Sequence, residues 1–176
     1  KELWQTALEL SERLAKKETE LSADELQTVT PRLATMVQTD LAHVDRITAF
    51  GDDLAKQQEL RSGRFDFLLR ALGRTEREEA IEPLTNVVSS GREPYVAVAM
   101  QQLGNLHELV GSKRAVEPIV AVLGRSSRAE TLLTACTALS VLASRDNRGV
   151  LDALATALLT HDGEVAWSAA LALARL

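Results

Sequence analysis

An all-α fold of stacked antiparallel helix pairs is what this sequence predicts, and three observations predict it. The first is a register. Ala80-Ile81-Glu82-Pro83-Leu84 recurs 35 residues on as Ala115-Val116-Glu117-Pro118-Ile119, and after a further 35 as Val150-Leu151-Asp152-Ala153-Leu154. The second is composition: 45% of residues are hydrophobic but only 3% aromatic, so Leu, Ala and Val carry the apolar mass. Ala and Leu favour helices, whereas sheets draw on β-branched and aromatic side chains. The third is spacing, because apolar residues three and four apart stack on one helical face.

Along the chain, Leu3, Ala7, Leu10, Leu14 and Leu21 follow that spacing, broken at Lys17. Ser22-Ala23-Asp24-Glu25 has the form of a capping box, in which Ser and Glu satisfy each other's free backbone donors. Thr30-Pro31 is placed to start a longer helix carrying Leu33, Val37, Leu41 and Val44, since Pro suits a first helical position. Residues 1–40 therefore form a helical extension or cap. Residues 41–77 offer a degenerate repeat: Ile47, Phe50 and Leu54 precede Ile81, Leu84 and Val88 by 34, and Leu69 and Leu72 precede Leu103 and Leu106 by 34. Gly51 and Asp52-Asp53 interrupt its first helix.

Three clear units follow, at 78–111, 112–146 and 147–176. In their first helices Val87 and Val88 match Val122 and Leu123, then Ala157 and Leu158. In their second helices Ala99, Leu103 and Leu106 match Ala135, Leu139 and Leu142, then Ala169, Leu173 and Leu176. Turn-rich pieces separate the two: Ser89-Ser90-Gly91, Gly124-Arg125-Ser126-Ser127 and Thr160-His161-Asp162-Gly163. Gly supplies positive φ after a helix, and Ser or Asp caps the next. Each pair is too small to bury its own apolar face, so neighbours must stack.

The lines IEPL…VAVAMQQLGNL, VEPIVAVL…LLTACTALSVLA and VLDALATALL…VAWSAALALARL resemble HEAT-like repeats of the short class named after phycocyanobilin lyases, over roughly residues 78–176. The resemblance implies a right-handed α-solenoid whose second helices line a concave face. The Val-Arg pair common in that class reads Val96-Ala97, Leu132-Leu133 and Ala166-Trp167 here.

Charge and hydropathy narrow the function. The net charge is −5 with both signs interspersed, which indicates neither a disordered acidic tail nor a strongly basic nucleic-acid binder. No apolar run reaches the ~18 to 20 residues that span a bilayer, and no signal peptide is legible, so no membrane role and a cytoplasmic setting are expected. The lone cysteine, Cys136, lies in an apolar stretch and reads as a reduced core residue. The sequence starts without Met and stops at Leu176 inside a helical pattern, so a piece of a longer repeat protein is expected.

Catalytic signals do not converge. His107-Glu108 is one His-Glu pair, whereas the HEAT-like deoxyhypusine hydroxylases build a di-iron site from repeated pairs; at a helix end, His107 more simply meets free carbonyls. His43 stands alone, and His161-Asp162 sits in a turn as a cap. Asp52-Asp53 diverge by about 100° on a helix and do not share a site. Cys136 has no histidine in its own repeat to activate it. No catalytic residue, metal or cofactor is assigned.

Binding surfaces are better marked. The neutral polar positions of the second helices, Gln101, Gln102, Asn105, Thr137 and Ser140, form a candidate partner face, because such groups hydrogen-bond without the desolvation cost of charge. Arg74 and Arg77, Lys113 and Arg114, and Arg145 and Arg148 occupy successive connections and form a candidate basic ridge. Trp167 lies beside the core stripe of the last helix and marks an end-on packing surface, for further repeats or for self-association. The leading expectation is a non-catalytic protein-binding scaffold. The alternatives are a lyase-like or metal-binding enzyme and a nucleic-acid-backbone binder like the HEAT-like alkylpurine DNA glycosylases.

Overall fold

A computed structural model of the chain describes residues 22–43, 52–93 and 95–176. Every regular element among them is helical, with eight α-helices and two short 3-10 turns. The chain divides into two compact units, residues 1–83 and 84–176.

In the first unit, α1 (Ala23–His43) packs on α2 (Asp52–Gly73) and on the 3-10 turn Glu78–Ala80. The capping box forms as read: Glu25 Oε2 accepts from the Ser22 backbone N–H at 2.8 Å, and Ser22 Oγ accepts from the Glu25 N–H at 3.3 Å. Leu33 and Val37 are buried at the spacing expected of them. The helix start placed at Thr30-Pro31 is corrected, because Pro31 lies inside a helix that began eight residues earlier at Ala23. The donor that Pro removes would have served the carbonyl of Gln27, an exposed residue that water can satisfy. Thr30, fully buried, returns its hydroxyl to the Leu26 carbonyl at 2.8 Å. Val44, Ile47 and Phe50, like the apolar positions before Ser22, lie outside the described residues. Residues 52–73 run as one 22-residue helix, with Leu69 and Leu72 sealed in the core. Arg64 ties α2 to Asp40 of α1 at 3.1 Å, a half-exposed pair worth at most about 1 kcal/mol.

Helix α3 (Ile81–Ser90) leads into the second unit, which continues through α4 (Tyr95–Asn105), the 3-10 turn Val110–Ala115, α5 (Val116–Arg125), α6 (Ala129–Leu142), α7 (Arg148–Thr160) and α8 (Gly163–Arg175). The spacing-derived helix pairs are all present here. The second helices pack in sequence, α4 on α6 and α6 on α8, while α5 lies against α6 and α7, and α7 against α8. Leu103, Ile119, Leu132, Leu139 and Leu154 are fully buried, and each belongs to an apolar stripe legible in the sequence. Fully burying a Leu or Ile contributes about 1.5–3 kcal/mol, so this shared layer is the main source of cohesion.

The connections follow one local rule. Ser90, Ser126 and Ser144 each accept a hydrogen bond from the backbone N–H two residues on. These serine turns satisfy donors that the helices leave free. Gly91 takes φ 69 after α3, a conformation that excludes most side chains. Gly124, by contrast, is the penultimate residue of α5, and Gly163 is positive-φ at the start of α8. The cap expected of Asp162 is not made by its side chain; the capping side chain in the same pair is Asn147, at the start of α7, which accepts from the Val150 backbone N–H.

Gly104 sits inside α4, where a Cβ would meet Ala138 and Val141 at 3.8 Å, ordinary van der Waals distance. Gly104→Ala should therefore stabilise the protein by about 0.5–1 kcal/mol, read as a higher urea midpoint at unchanged slope. Leu139→Ala should cost about 2–5 kcal/mol in the same assay, because the sealed site leaves a cavity.

Candidate functional site

The second helices of adjacent pairs leave a groove between them. Its walls are α4 and α6, its volume is about 730 Å³, and both walls belong to the second unit. Met100, Gly104, Leu133, Ala138 and Val141 make its apolar lining. Gln101 and Asn105, one turn apart on α4, stand exposed on one rim; Thr134 and Thr137 of α6 line the other. Thr134 and Thr137 spend their hydroxyl protons on the carbonyls of Glu130 and Leu133, at 2.8 and 3.0 Å. A hydroxyl oxygen that donates its proton keeps its capacity to accept, while the amides of Gln101 and Asn105 offer both donors and acceptors.

Charge enters only at the ends. Glu130 is exposed and lies 3.8 Å from Arg128. His107 places Nδ1 3.0 Å from the Gly104 carbonyl, the helix-end contact expected of it, and Glu108 beside it is exposed. His43 makes the same kind of contact with Thr39 at 2.7 Å, and His161 occupies the C-cap of α7 through its backbone N–H. Among the described residues no group of three or more His, Cys, Asp or Glu is placed to hold a metal ion.

The five neutral positions separate. Gln101, Asn105 and Thr137 line the groove together. Gln102 is 5% exposed and is withdrawn from the candidate face. Its position explains this, since 102 falls with Ala99, Leu103 and Leu106 on the inward stripe. Ser140 is half-buried outside the groove, donating to the Thr137 carbonyl at 2.7 Å and meeting Arg175 Nη1 at 3.5 Å. The groove's apolar lining was not marked from sequence, although Gly104 between two apolar stripes is the signal that points to it.

The basic candidates also separate. Lys113 and Arg114 in the second 3-10 turn, and Arg145 and Arg148 around Asp146, are exposed at successive connections of the second unit. Arg74 and Arg77 belong to the first unit. Arg77 Nε is buried and lies 3.5 Å from Glu79, close enough for an ion pair but not aligned as a hydrogen bond.

A polar bolt that sequence reading missed joins consecutive pairs beside the groove. Glu93, in the α3–α4 connection, accepts from Thr131 Oγ1 at 2.7 Å and from Ser126 Oγ at 3.1 Å, 38 and 33 residues away. Arg125 of α5 donates to the Val88 carbonyl at 2.7 Å, capping the last turn of α3, and its guanidinium passes 3.5 Å from where a Cβ of Gly91 would stand. A charge-assisted hydrogen bond of this kind is about twice as strong as a neutral one. These groups flank a smaller cleft of about 480 Å³ that also includes Ser90, Ser127 and Arg128.

Cys136 of α6 is fully buried, with Ser168 of α8 beside its thiol. Burial pushes its thiol up from 9.0 to about 11, against smaller opposing hydrogen-bond effects. No protein-family model, curated protein or solved structure matches the chain.

Glu93→Ala should strand the Thr131 hydroxyl, which is 1% exposed, and cost about 1–3 kcal/mol in urea unfolding. Cys136 should resist a thiol reagent in native buffer and react at once in denaturant. Because its folded value is raised, the thiol's stabilising contribution is complete below pH 9.0 and is lost as pH rises towards about 11. Cys136→Ala should flatten that alkaline loss in a pH series of urea midpoints.

Proposed function

We propose that residues 78–176 form a right-handed HEAT-like α-solenoid and that the chain is a non-catalytic protein-binding scaffold, with the α4–α6 groove holding a segment of a partner protein. One observation carries this reading: an apolar lining bordered by neutral hydrogen-bonding groups, Gln101, Asn105, Thr134 and Thr137, on two helices of successive pairs. An apolar lining gains from excluding water. The rims match main-chain N–H and C=O groups, which every polypeptide carries.

The repeat register and the packing of α4 on α6 and α6 on α8 support the solenoid. The net charge of −5 and the neutral rims weigh against a surface that tracks phosphates. A buried, protonated Cys136 suits a reducing compartment such as the cytoplasm. No described helix is long and apolar enough to cross a membrane.

Site-specific photocrosslinking tests the groove. A photoreactive side chain at Gln101 or Thr137 should capture one defined protein partner, while the same probe at Asp152, exposed on α7, should not. Thr137→Arg, which places an unpaired charge on the rim, should weaken that partner's binding about tenfold or more. Capture only from probes at residues 22–83, or equal capture from Asp152, would falsify the proposal.

A further inference from the structure

The second helices share one exposed face. Two residues past each member of the inward Ala99–Leu103, Ala135–Leu139 and Ala169–Leu173 stripes stand Gln101 and Asn105, Thr137 and Val141, and Leu171 and Arg175. Two residues turn a helix by about 200°, which sets these six away from the core. All six are exposed. Gln101 and Asn105 stay so although α6 packs on α4, and Thr137 and Val141 although α8 packs on α6. Exposure at 171 and 175 therefore belongs to the face, whatever follows α8. Trp167 is set apart: it is 68% exposed, but at its register Ala97 is 7% exposed and Leu133 half-buried, so its exposure does not mark this face.

Two contacts fix how α8 continues the groove side of α6. Ser168 stands beside the Cys136 thiol, and Arg175 Nη1 lies 3.5 Å from Ser140 Oγ. Leu171, between Ser168 and Arg175, is thereby level with the turn that carries Thr137 and Val141. The face changes character across the stack. It offers neutral amides on α4, a hydroxyl and an apolar side chain on α6, then an apolar side chain and a cation on α8. Val141 is 39% and Leu171 47% exposed, so apolar surface passes from the groove onto α8. Among the described residues Arg175 makes no ion pair. Glu164, the acidic residue of its own helix, is about 16 Å away along the axis.

We propose that the partner segment crosses the second helices from the α4–α6 groove onto α8, seating an apolar side chain between Val141 and Leu171 and an Asp or Glu carboxylate on Arg175. This rests on the reading that the groove takes polypeptide. Packed helices lie about 8–10 Å apart, so an extended segment of about six residues, at roughly 3.3 Å each, spans α4 to α8. Its main chain meets Gln101, Asn105 and Thr137, which ask for no particular sequence. Specificity sits at the far end. Val141 and Leu171 gain from excluding water, and the planar guanidinium of Arg175 matches a carboxylate with paired donors. A single cation on an otherwise neutral row suits a single negative charge. The Arg175 contact with Ser140 is long and exposed and gives way to it.

A phage-displayed library of random linear dodecapeptides, selected on the full 176-residue chain, tests this, with synthetic copies of the selected peptides measured by fluorescence anisotropy. The peptides should share an apolar residue next to Asp or Glu. Leu171→Asp and Arg175→Glu should each weaken them about tenfold. Lys in place of the peptide's acidic residue should recover binding to the Arg175→Glu chain to within about threefold. Thr137→Arg should weaken them as well. All three positions are exposed, and matched far-UV circular dichroism shows that the variants are folded. Peptides that lose affinity with Thr137→Arg but ignore Leu171→Asp or Arg175→Glu overturn the crossing and leave the groove reading standing, as does failure of the charge exchange. A library that yields no binder, or binders indifferent to Thr137→Arg, overturns the groove reading and the crossing with it.

Discussion

Everything in the second unit depends on one constraint: a helix pair of about 25 residues cannot bury its own apolar face. Leu132, Leu139 and Leu154 become fully buried only because α4, α6 and α8 lie side by side, with α5 and α7 beneath them. The recurrence of the apolar stripe every 35 residues answers that constraint, since each new pair must present its stripe to the one before it. Apolar burial is non-directional, so it rewards stacking without fixing how far one pair slides along the next.

Direction comes from a few polar bonds at the connections. Glu93 holds Ser126 and Thr131 of the following pair, and Arg125 reaches back to the Val88 carbonyl. These bonds are short and long-range in sequence, and Thr131 is buried. They set the register in which Gln101 and Asn105 come to face Thr134 and Thr137. The groove is thus a by-product of stacking whose rims are aligned by the bolt beside it. Its chemistry, apolar below and neutral above, is the basis for reading it as a place for polypeptide.

The helices were largely legible in the sequence because apolar spacing reports burial directly. The capping box at Ser22 and Glu25 was legible for a related reason: its partners are three residues apart. What depended on contacts more than thirty residues apart was not legible. Glu93 looked like one more loop carboxylate until folding brought Thr131 to it. Gln102 was misplaced because residue type was weighed above position; its place on the Ala99–Leu103–Leu106 stripe already pointed inward. Pro31 misled in the opposite way. Its usual preference for a first turn yielded to the tertiary burial of Leu33 and Val37 on a continuous α1.

Native-state hydrogen exchange on the second unit tests the dependence on stacking most directly. Helix α6, covered on both sides by α4 and α8, should hold its central amides longest, and α8, covered on one side, should exchange sooner. Leu139→Ala in α6 should lower protection in α4 and α8 as well as in α6. Equal protection of α6 and α8, or a Leu139→Ala effect confined to α6, would contradict the account, because the pairs would then be stable on their own.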